Sequence, residues 1–545
     1  MKQVSTGGLS FQEIRRRGKF YVDKTLLIKD MLDADDGGVF LYTRPRRFGK
    51  TTNVTMLNAF FNIDYKGNDW FDGLDINECS ECNRYKNAYP VIQIDLKDIN
   101  PASEESLLDS LNGAIIDAFS PFDRKLAEWT MSMADGSGYE RISMRRASED
   151  ELIRSISMLC RVIHNNTGLN TVILMDEYDR ALTNAFDTYS QTKALDVLGR
   201  FMSATLKSNP YLQIAYITGV MQVAKAGFFS GMNNLTVNTV FSSDSDERFG
   251  FTETEVMSIL EYYGHQERFD EVASWYDGYQ FGGAEVYNPF SVMMYIQRGF
   301  VPDSYWKDSG RNLPMSWMIQ RADSLGLQTI IDLINGEKVV SELHVTMSYE
   351  EMRLSNSVDL LSLMVMTGYL NAMPLENGLY ELSIPNREVR GIVDSLLSLN
   401  RRVGDELYSM FNNAVLDRNV DVMVESLQSV LADGSYFTLK DEASYENIIL
   451  TMMHGILNGY RVTSEKESGN GHVDLMLEPR RDGGIPIIIE LKVADSGYDL
   501  DADAIEALQQ IHDRKYYLGM KGNVILIGLA FWGKVVRGKV DRIFL

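Results

Sequence analysis

Through the first 250 residues, short runs of β-branched and apolar residues alternate with longer amphipathic stretches. That alternation predicts a parallel sheet covered by helices. Strands are expected at 39–43, 91–96, 171–175, 214–218 and 235–240. Several are near-continuous apolar runs, the pattern of strands buried on both faces. From about 251 to 434 the pattern turns mainly helical. Thr252-Glu253-Thr254-Glu255 opens one helix with a capping box, and the apolar run 360–366 is too long in its setting for an edge strand. The last hundred residues change again. A helix is expected at 444–457, strands at 473–477, 485–493 and 524–531, and a helix at 502–517 between the last two strands. That order is αββαβ. Asp433-Gly434-Ser435 reads as a linker, and there is no internal repeat or low-complexity segment.

Composition narrows the class. Of 545 residues, 45% are hydrophobic and 24% charged, ordinary for a globular chain of several domains. No apolar run approaches the ~20 residues of a membrane span, and the N-terminus lacks a signal-peptide core, so no membrane partner is expected. Three cysteines in this length point to a reducing, cytoplasmic setting. Cys79 and Cys82 form one CxxC without partners at zinc-finger spacing, and are read as two free thiols in a loop rather than a zinc or redox pair. The net charge of −23 argues against coating nucleic acid through bulk charge. Residues 1–50 nevertheless hold 11 Lys/Arg against 6 Asp/Glu, and residues 514–545 hold 7 against one. Solvated surface and phosphate-facing patches both remain open for these segments.

Candidate chemistry begins at Arg47-Phe48-Gly49-Lys50-Thr51-Thr52, which follows an expected strand and opens a helix over 53–61. In that context the turn's N–H groups cradle phosphate, Lys50 reaches the β- and γ-phosphates of ATP, and Thr51 ligates Mg²⁺. Arg44 stands where a P-loop's first glycine belongs. Val172-Ile173-Leu174-Met175-Asp176-Glu177 has the form of a Walker B strand, with Asp176 holding Mg²⁺ and Glu177 orienting the attacking water. Thr218 ends a further strand and is a candidate γ-phosphate sensor. Arg248 is the one candidate arginine finger.

These segments resemble the AAA-ATPase-like proteins that carry a C-terminal PD-(D/E)XK nuclease domain. The resemblance rests on Tyr21-Val22-Asp23-Lys24-Thr25, Thr43-Arg44-Pro45-Arg46-Arg47-Phe48-Gly49-Lys50-Thr51, Thr218-Gly219-Val220 leading to Phe229-Ser230-Gly231-Met232-Asn233-Asn234-Leu235, Trp275-Tyr276-Asp277-Gly278-Tyr279 and Val286-Tyr287-Asn288-Pro289-Phe290. It implies that Arg-Pro-Arg-Arg-Phe-Gly-Lys is the family's own P-loop variant. Whether Arg46 or Arg47 touches phosphate or shapes the loop stays open.

The C-terminal segment carries separate chemistry. Gly471-His472-Val473-Asp474-Leu475 and Ile487-Ile488-Ile489-Glu490-Leu491-Lys492 place an acid on one strand and Glu-x-Lys on the next. Glu490 and Lys492 share a strand face, and Asp474 can lie beside them in a hairpin. Two carboxylates there can hold Mg²⁺ or Mn²⁺, with Lys492 stabilising the activated hydroxide. The resemblance adds Glu446 as a further metal carboxylate and Gln509 as a contact to water or backbone. His472 is a neighbour rather than a ligand.

The expected architecture is therefore α/β: a P-loop NTPase parallel sheet over 1–250, a mainly helical lid or winged-helix-like region over 251–434, and a restriction-endonuclease-like domain over 435–545. The expected function is ATP binding or hydrolysis coupled to a metal-dependent nuclease acting on DNA or RNA. The alternative is an ATP-driven switch or scaffold whose nuclease fold binds without cleaving. A homo-oligomer is compatible with either.

Overall fold

The structure is a computed structural model of the full chain. It describes residues 1–34, 38–181, 190–207, 209–222, 229, 232, 234–307, 315, 319, 322, 324–346, 356–399, 405–433, 442–453, 459–480, 484–494 and 497–545. The expected linker at 434–435, the end of the expected helix at 454–457, and Ser230, Gly231 and Asn233 of the family segment lie outside these residues.

Five strands, β1 (Val39–Thr43), β2 (Val91–Asp95), β3 (Thr171–Asp176), β4 (Leu212–Gly219) and β5 (Leu235–Asn238), form one sheet in the order β2-β3-β4-β1-β5. Every pairing is parallel. β1 and β3 are buried along their whole length, as their continuous apolar runs require. Register aligns the strand ends: Thr43 lies opposite Gly219, Met175 opposite Ile217, and Asp95 opposite Asp176. The carboxyl ends of β1, β3 and β4 therefore share one edge of the sheet, the usual ligand edge of an open parallel sheet.

The middle region carries more strand than its pattern suggests. A hairpin of β6 (Tyr279–Phe281) and β7 (Ala284–Val286) and a three-stranded sheet of β8 (Val339–Ser341), β9 (Asn371–Pro374) and β10 (Tyr380–Ser383) sit among its helices. The capping box at Thr252 is formed, with Glu255 closing it. The middle region meets the P-loop at the end of the helix Ser357–Thr367, where Pro45 packs so close to Gly368 that a Cβ there would lie 2.8 Å from its ring.

The C-terminal sheet has five strands, β11 (Tyr460–Ser468), β12 (Gly471–Pro479), β13 (Ile487–Val493), β14 (Asn523–Trp532) and β15 (Val535–Phe544), in chain order. Only β13 and β14 pair in parallel, joined by the helix Leu500–Arg514; their neighbours pair antiparallel. The two outer strands extend the expected αββαβ core. The helix Glu442–Met452 stacks Tyr445 on Phe531, 4.5 Å between ring centroids.

Cys79 and Cys82 are joined in a disulfide, which corrects the expectation of two free thiols. Cys160 is free and buried. Among the described residues, no helix is long and apolar enough to cross a membrane.

Gly528 shows how tightly the C-terminal helix is seated. It pairs with Glu490 on one side and Lys539 on the other. A Cβ there would stand 2.3 Å from the Ala504 carbonyl and 2.6 Å from the Leu508 nitrogen. Gly528→Ala is expected to lift this helix and lower local stability by about 3 kcal/mol. Hydrogen exchange of the amides of Leu500–Arg514 reads this directly; unchanged protection would contradict the packing.

Candidate functional site

The P-loop is built around an inward-turned arginine. Arg44 continues the β1 ladder through its N–H to Gly219 O, 3.1 Å, and its side chain has no exposed surface. The guanidinium donates to Thr43 O (2.8 Å), Asn238 O (3.2 Å) and Asn238 Oδ1 (2.6 Å). It also lies over the rings of Phe249 and Phe281. Burial lowers its pKa to about 10, so it remains charged near neutrality. Arg44 has no positive φ; the left-handed turns fall at Arg47 (φ 71°) and Gly49 (φ 85°). The loop therefore has no conformational need for glycine at 44.

The rest of the loop divides between anchoring and presenting. Phe48 is buried against Tyr279 and Phe281, at 4.9 and 5.0 Å, so it contributes backbone, not ring, to any ligand. Arg47 lies over Phe290 at 4.5 Å. Lys50 is buried and donates to the carbonyls of Arg44 (3.1 Å) and Pro45 (3.0 Å). Thr51 is exposed at the first turn of the helix Lys50–Phe61, and its hydroxyl acts to lower the Asp176 carboxyl. Thr52 follows it, its carbonyl accepting from Thr55.

Asp176 ends β3 facing this turn. Burial raises its carboxyl to about 6 and Glu177 adds to the rise, while the Thr51 hydroxyl and Lys50 oppose it. Glu177 takes a left-handed backbone, φ 54°, an unfavourable conformation for a residue with a side chain and one often retained at functional sites. Its N–H donates to Asp176 Oδ1, 3.0 Å. Two residues absent from the sequence reading hold the turn. Asp179, also raised to about 6 by burial and Glu177, accepts from the N–H groups of Val220 (2.9 Å) and Met221 (2.8 Å). Tyr178 donates to Met221 O, 2.6 Å. A Cβ on Gly219 would meet Asp179 and Tyr178 at 2.6 Å. The signal for them was Asp-Glu-Tyr-Asp itself, whose last acid follows the Walker B pair by one turn.

Two expectations are corrected here. Thr218 donates its hydroxyl to Tyr42 O (3.0 Å) and has no exposed surface; it ties β4 to β1 instead of facing a phosphate. Arg248 donates to Asp30, its Nε at 2.8 Å, so it is held by its own chain rather than offered to another.

In the C-terminal sheet, Asp474 and Glu490 stand one step beyond the Leu475–Ile489 pair and share a face. Asp474 accepts from the N–H of Leu491, 2.6 Å. Glu490 is 1% exposed. Burial, then the charge of Asp474 and that of Glu442, push its carboxyl to about 8, against the hydrogen bonds from the Asp474 backbone and Gln510. One carboxylate oxygen accepts from Gln510 Nε2, and the other has no hydrogen-bond partner. An acceptor oxygen buried without a donor fits a cation.

The remaining candidates are corrected in part. Gln509 points outward to Asp513, 2.9 Å; the glutamine at Glu490 is its neighbour. Lys492 pairs with Asp503 (3.4 Å) and Glu506 of the helix Leu500–Arg514, not with the two carboxylates. Glu446 is buried on its helix, but among the described residues no three His, Cys, Asp or Glu side chains are grouped to hold a metal. Asp474 and Glu490 thus stand as a pair. His472 is exposed, opposite Glu467.

Comparison with known proteins follows this division. The family model described as "Predicted AAA-ATPase" matches residues 6–229, and that of the PD-(D/E)XK nuclease superfamily matches 440–539. A protein of Azotobacter chroococcum mcd 1, described as "Uncharacterized protein in vnfD 5'region", is 26% identical over 557 residues, covering 97% of this chain and 96% of its own length. The Aeropyrum pernix ORC2 protein, solved as ADPNP-ADP complexes, gives a TM-score of 0.25 at 10% identity, over 70% of this chain and 95% of its own. Drosophila ORC bound to AT-rich DNA and Cdc6 gives 0.18 at 10% identity, over 72% and 92%.

The raised Glu490 carboxyl carries a testable sign. The fold holds this proton more tightly than the unfolded chain, whose carboxyl titrates near 4.5. Its contribution favours the fold fully below that value and is lost as pH rises through about 8. In EDTA, stability is expected to fall across that window, and Glu490→Gln should flatten the fall. Thermal melts of both proteins measure this; parallel profiles would contradict the assignment.

Proposed function

From a chain whose residues 6–229 are a predicted AAA-ATPase-like domain and whose residues 440–539 belong to the PD-(D/E)XK nuclease superfamily, we propose an ATPase that governs a metal-dependent phosphodiesterase acting on nucleic acid in the cytoplasm. The ATPase unit takes 1–250, a coupling region 251–434 and the nuclease unit 435–545. The observation that carries the reading is Lys50: a buried ammonium resting on two loop carbonyls, at the mouth of a helix N-terminus and beside Asp176. A phosphate chain gives that charge a stronger acceptor than a carbonyl.

In this reading the backbone of Arg47–Thr52 and Lys50 bind the phosphates of ATP. Thr51 and Asp176, the hydroxyl of the first already acting on the carboxyl of the second, are the ligands for Mg²⁺, which when bound supplies charge neutralisation at the phosphate oxygens. Glu177 takes the proton of the attacking water. Asp179 and Tyr178 fix the turn from which Glu177 acts. In the C-terminal domain, Asp474 and the unpartnered oxygen of Glu490 would hold Mg²⁺ or Mn²⁺, and Gln510 orients Glu490. Lys492 reaches the phosphodiester on releasing Glu506. One observation favours the rival reading, a switch that binds without cleaving: Lys492 is engaged by two acids.

Calorimetric titration and turnover assays separate the parts. Lys50→Ala should lose tight ATP binding. Glu177→Gln should retain it while hydrolysis slows about 10²-fold. Full-length protein with Mn²⁺ should cleave at least one of single- or double-stranded DNA or RNA, and Asp474→Ala and Glu490→Ala should abolish that cleavage. Glu177→Gln turning over at the wild-type rate contradicts the Walker B assignment. Wild-type protein inert on all four substrates, with and without ATP, favours the switch.

A further inference from the structure

Several cations of the C-terminal sheet are held by acids of the same sheet and helix. Lys466 pairs with Glu478 (2.7 Å), Lys492 with Asp503 and Glu506, and Lys539 with Asp501 (2.5 Å). Arg514, the last residue of the helix Leu500–Arg514, differs. It is exposed, and its guanidinium makes one long contact, Nη1 donating to Asn470 O at 3.4 Å. No acid pairs with it among the described residues.

The backbone that carries Arg514 is fixed. The Asn470 N–H donates to Arg514 O (2.8 Å) and the Ser468 hydroxyl to Tyr516 O (2.7 Å), which ties the turn between β11 and β12 to the helix end. At Gly471 the side chains come close: a Cβ there would stand 3.3 Å from Tyr516 Cε1 and 3.7 Å from Arg514 Cδ. Helix and strand both place Arg514 beside the carboxylate pair. It follows Gln510 by one turn on the same helix face, with ~6 Å between their Cβ atoms, and Gln510 Nε2 is bonded to Glu490. Gly471 precedes Asp474 on β12 by ~10 Å of strand. Tyr516 senses both groups: burial raises its hydroxyl most, Glu490 and Asp474 add to the rise, and Arg514 opposes it.

We infer that Arg514 binds a backbone phosphate beside the scissile one and so holds a nucleic-acid strand across Asp474 and Glu490. This rests on the nuclease reading above. A guanidinium offers paired N–H groups to phosphate oxygens, which are stronger acceptors than the one carbonyl it now meets. One helical turn from the residue that holds Glu490, it misses a phosphate lying on the carboxylates and meets a neighbour on the same strand. Contact with the backbone carries no base preference. It is made equally in the ground and transition states, so it serves binding rather than the chemical step. A role confined to the helix C-terminus, where any cation is favoured, would leave the salt dependence of nucleic-acid binding untouched.

The test is binding of labelled single- and double-stranded DNA and RNA to full-length protein in EDTA, followed across a range of salt. Arg514→Ala should weaken each nucleic acid that the wild type binds by about 10-fold, the scale of one lost charged hydrogen bond. The slope of log affinity against log salt should become shallower by about 0.7–0.9, as for one phosphate contact. Arg514→Lys should keep the slope and lose part of the affinity. Arg514→Gln replaces the alanine variant if thermal melting shows that one unfolded. Arg461→Ala removes a cation at the other end of β11, paired there with Glu337, and should change neither quantity. With Mn²⁺, Arg514→Ala should raise KM by the same factor and spare kcat. An unchanged slope in Arg514→Ala, or an equal change in Arg461→Ala, would overturn the assignment and leave the nuclease reading standing. Wild-type protein that binds none of the four nucleic acids would bring down that reading and the assignment with it.

Discussion

The guanidinium of Arg44 sits at the end of β1 with no exposed surface, held by Thr43, Asn238 and two aromatic rings. Burying a charge is costly unless its donors are met, and the loop arranges carbonyls and rings around all of it but Nε, which has no hydrogen-bond partner among the described residues. That arrangement shapes the P-loop. Asn238 of β5 is drawn to the end of β1, and the carbonyl of Arg44 is left facing Lys50. Phe281, one of the two rings, also packs on Phe48. One inward-facing residue thus ties together the sheet edge, the phosphate loop and the hairpin of the middle region.

Parallel register then converts this local arrangement into a site. With Thr43, Gly219 and Asp176 at one sheet edge, the P-loop, the acid turn and the segment after β4 meet without long connections. Asp179 and Tyr178 bind the last two of these together. A change in the acid turn is therefore transmitted to Val220 and Met221 through direct hydrogen bonds. The C-terminal sheet uses the same economy: Asp474 and Glu490 are neighbours by pairing, and Gly528 lets a helix come close enough for Gln510 to reach Glu490.

Much of this was legible in the chain. The five strands of the first sheet, Lys50 beside Asp176, and the Asp474–Glu490 pair follow from apolar runs and from residues placed at their ends, because strand register leaves few alternatives. What escaped had other causes. The outer strands β11 and β15 carry charge along much of their length (Arg461, Lys466 and Glu467; Arg537, Lys539, Asp541 and Arg542), so no apolar alternation marked them. Gln509 and Gln510 differ by about 100° around a helix, and only the seating of that helix on Gly528 decides which one meets Glu490. Thr218 looked like a ligand contact because a strand end is where such contacts occur; its hydroxyl was taken by the neighbouring strand. Lys492 shares a face with Glu490, but the acids that claim it lie on a helix that strand spacing does not describe.

The central claim is that Arg44 organises this phosphate loop and is not a defect in it. Replacing Arg44 with glycine restores the residue usual at that place in a P-loop and removes the buried charge. Calorimetric titration of Arg44→Gly with Mg²⁺ and ATP, beside the wild type, tests this most directly. The account predicts that the variant binds ATP at least ~10-fold more weakly, as expected when a buried charged network loses its centre. Binding equal to or tighter than that of the wild type would contradict it.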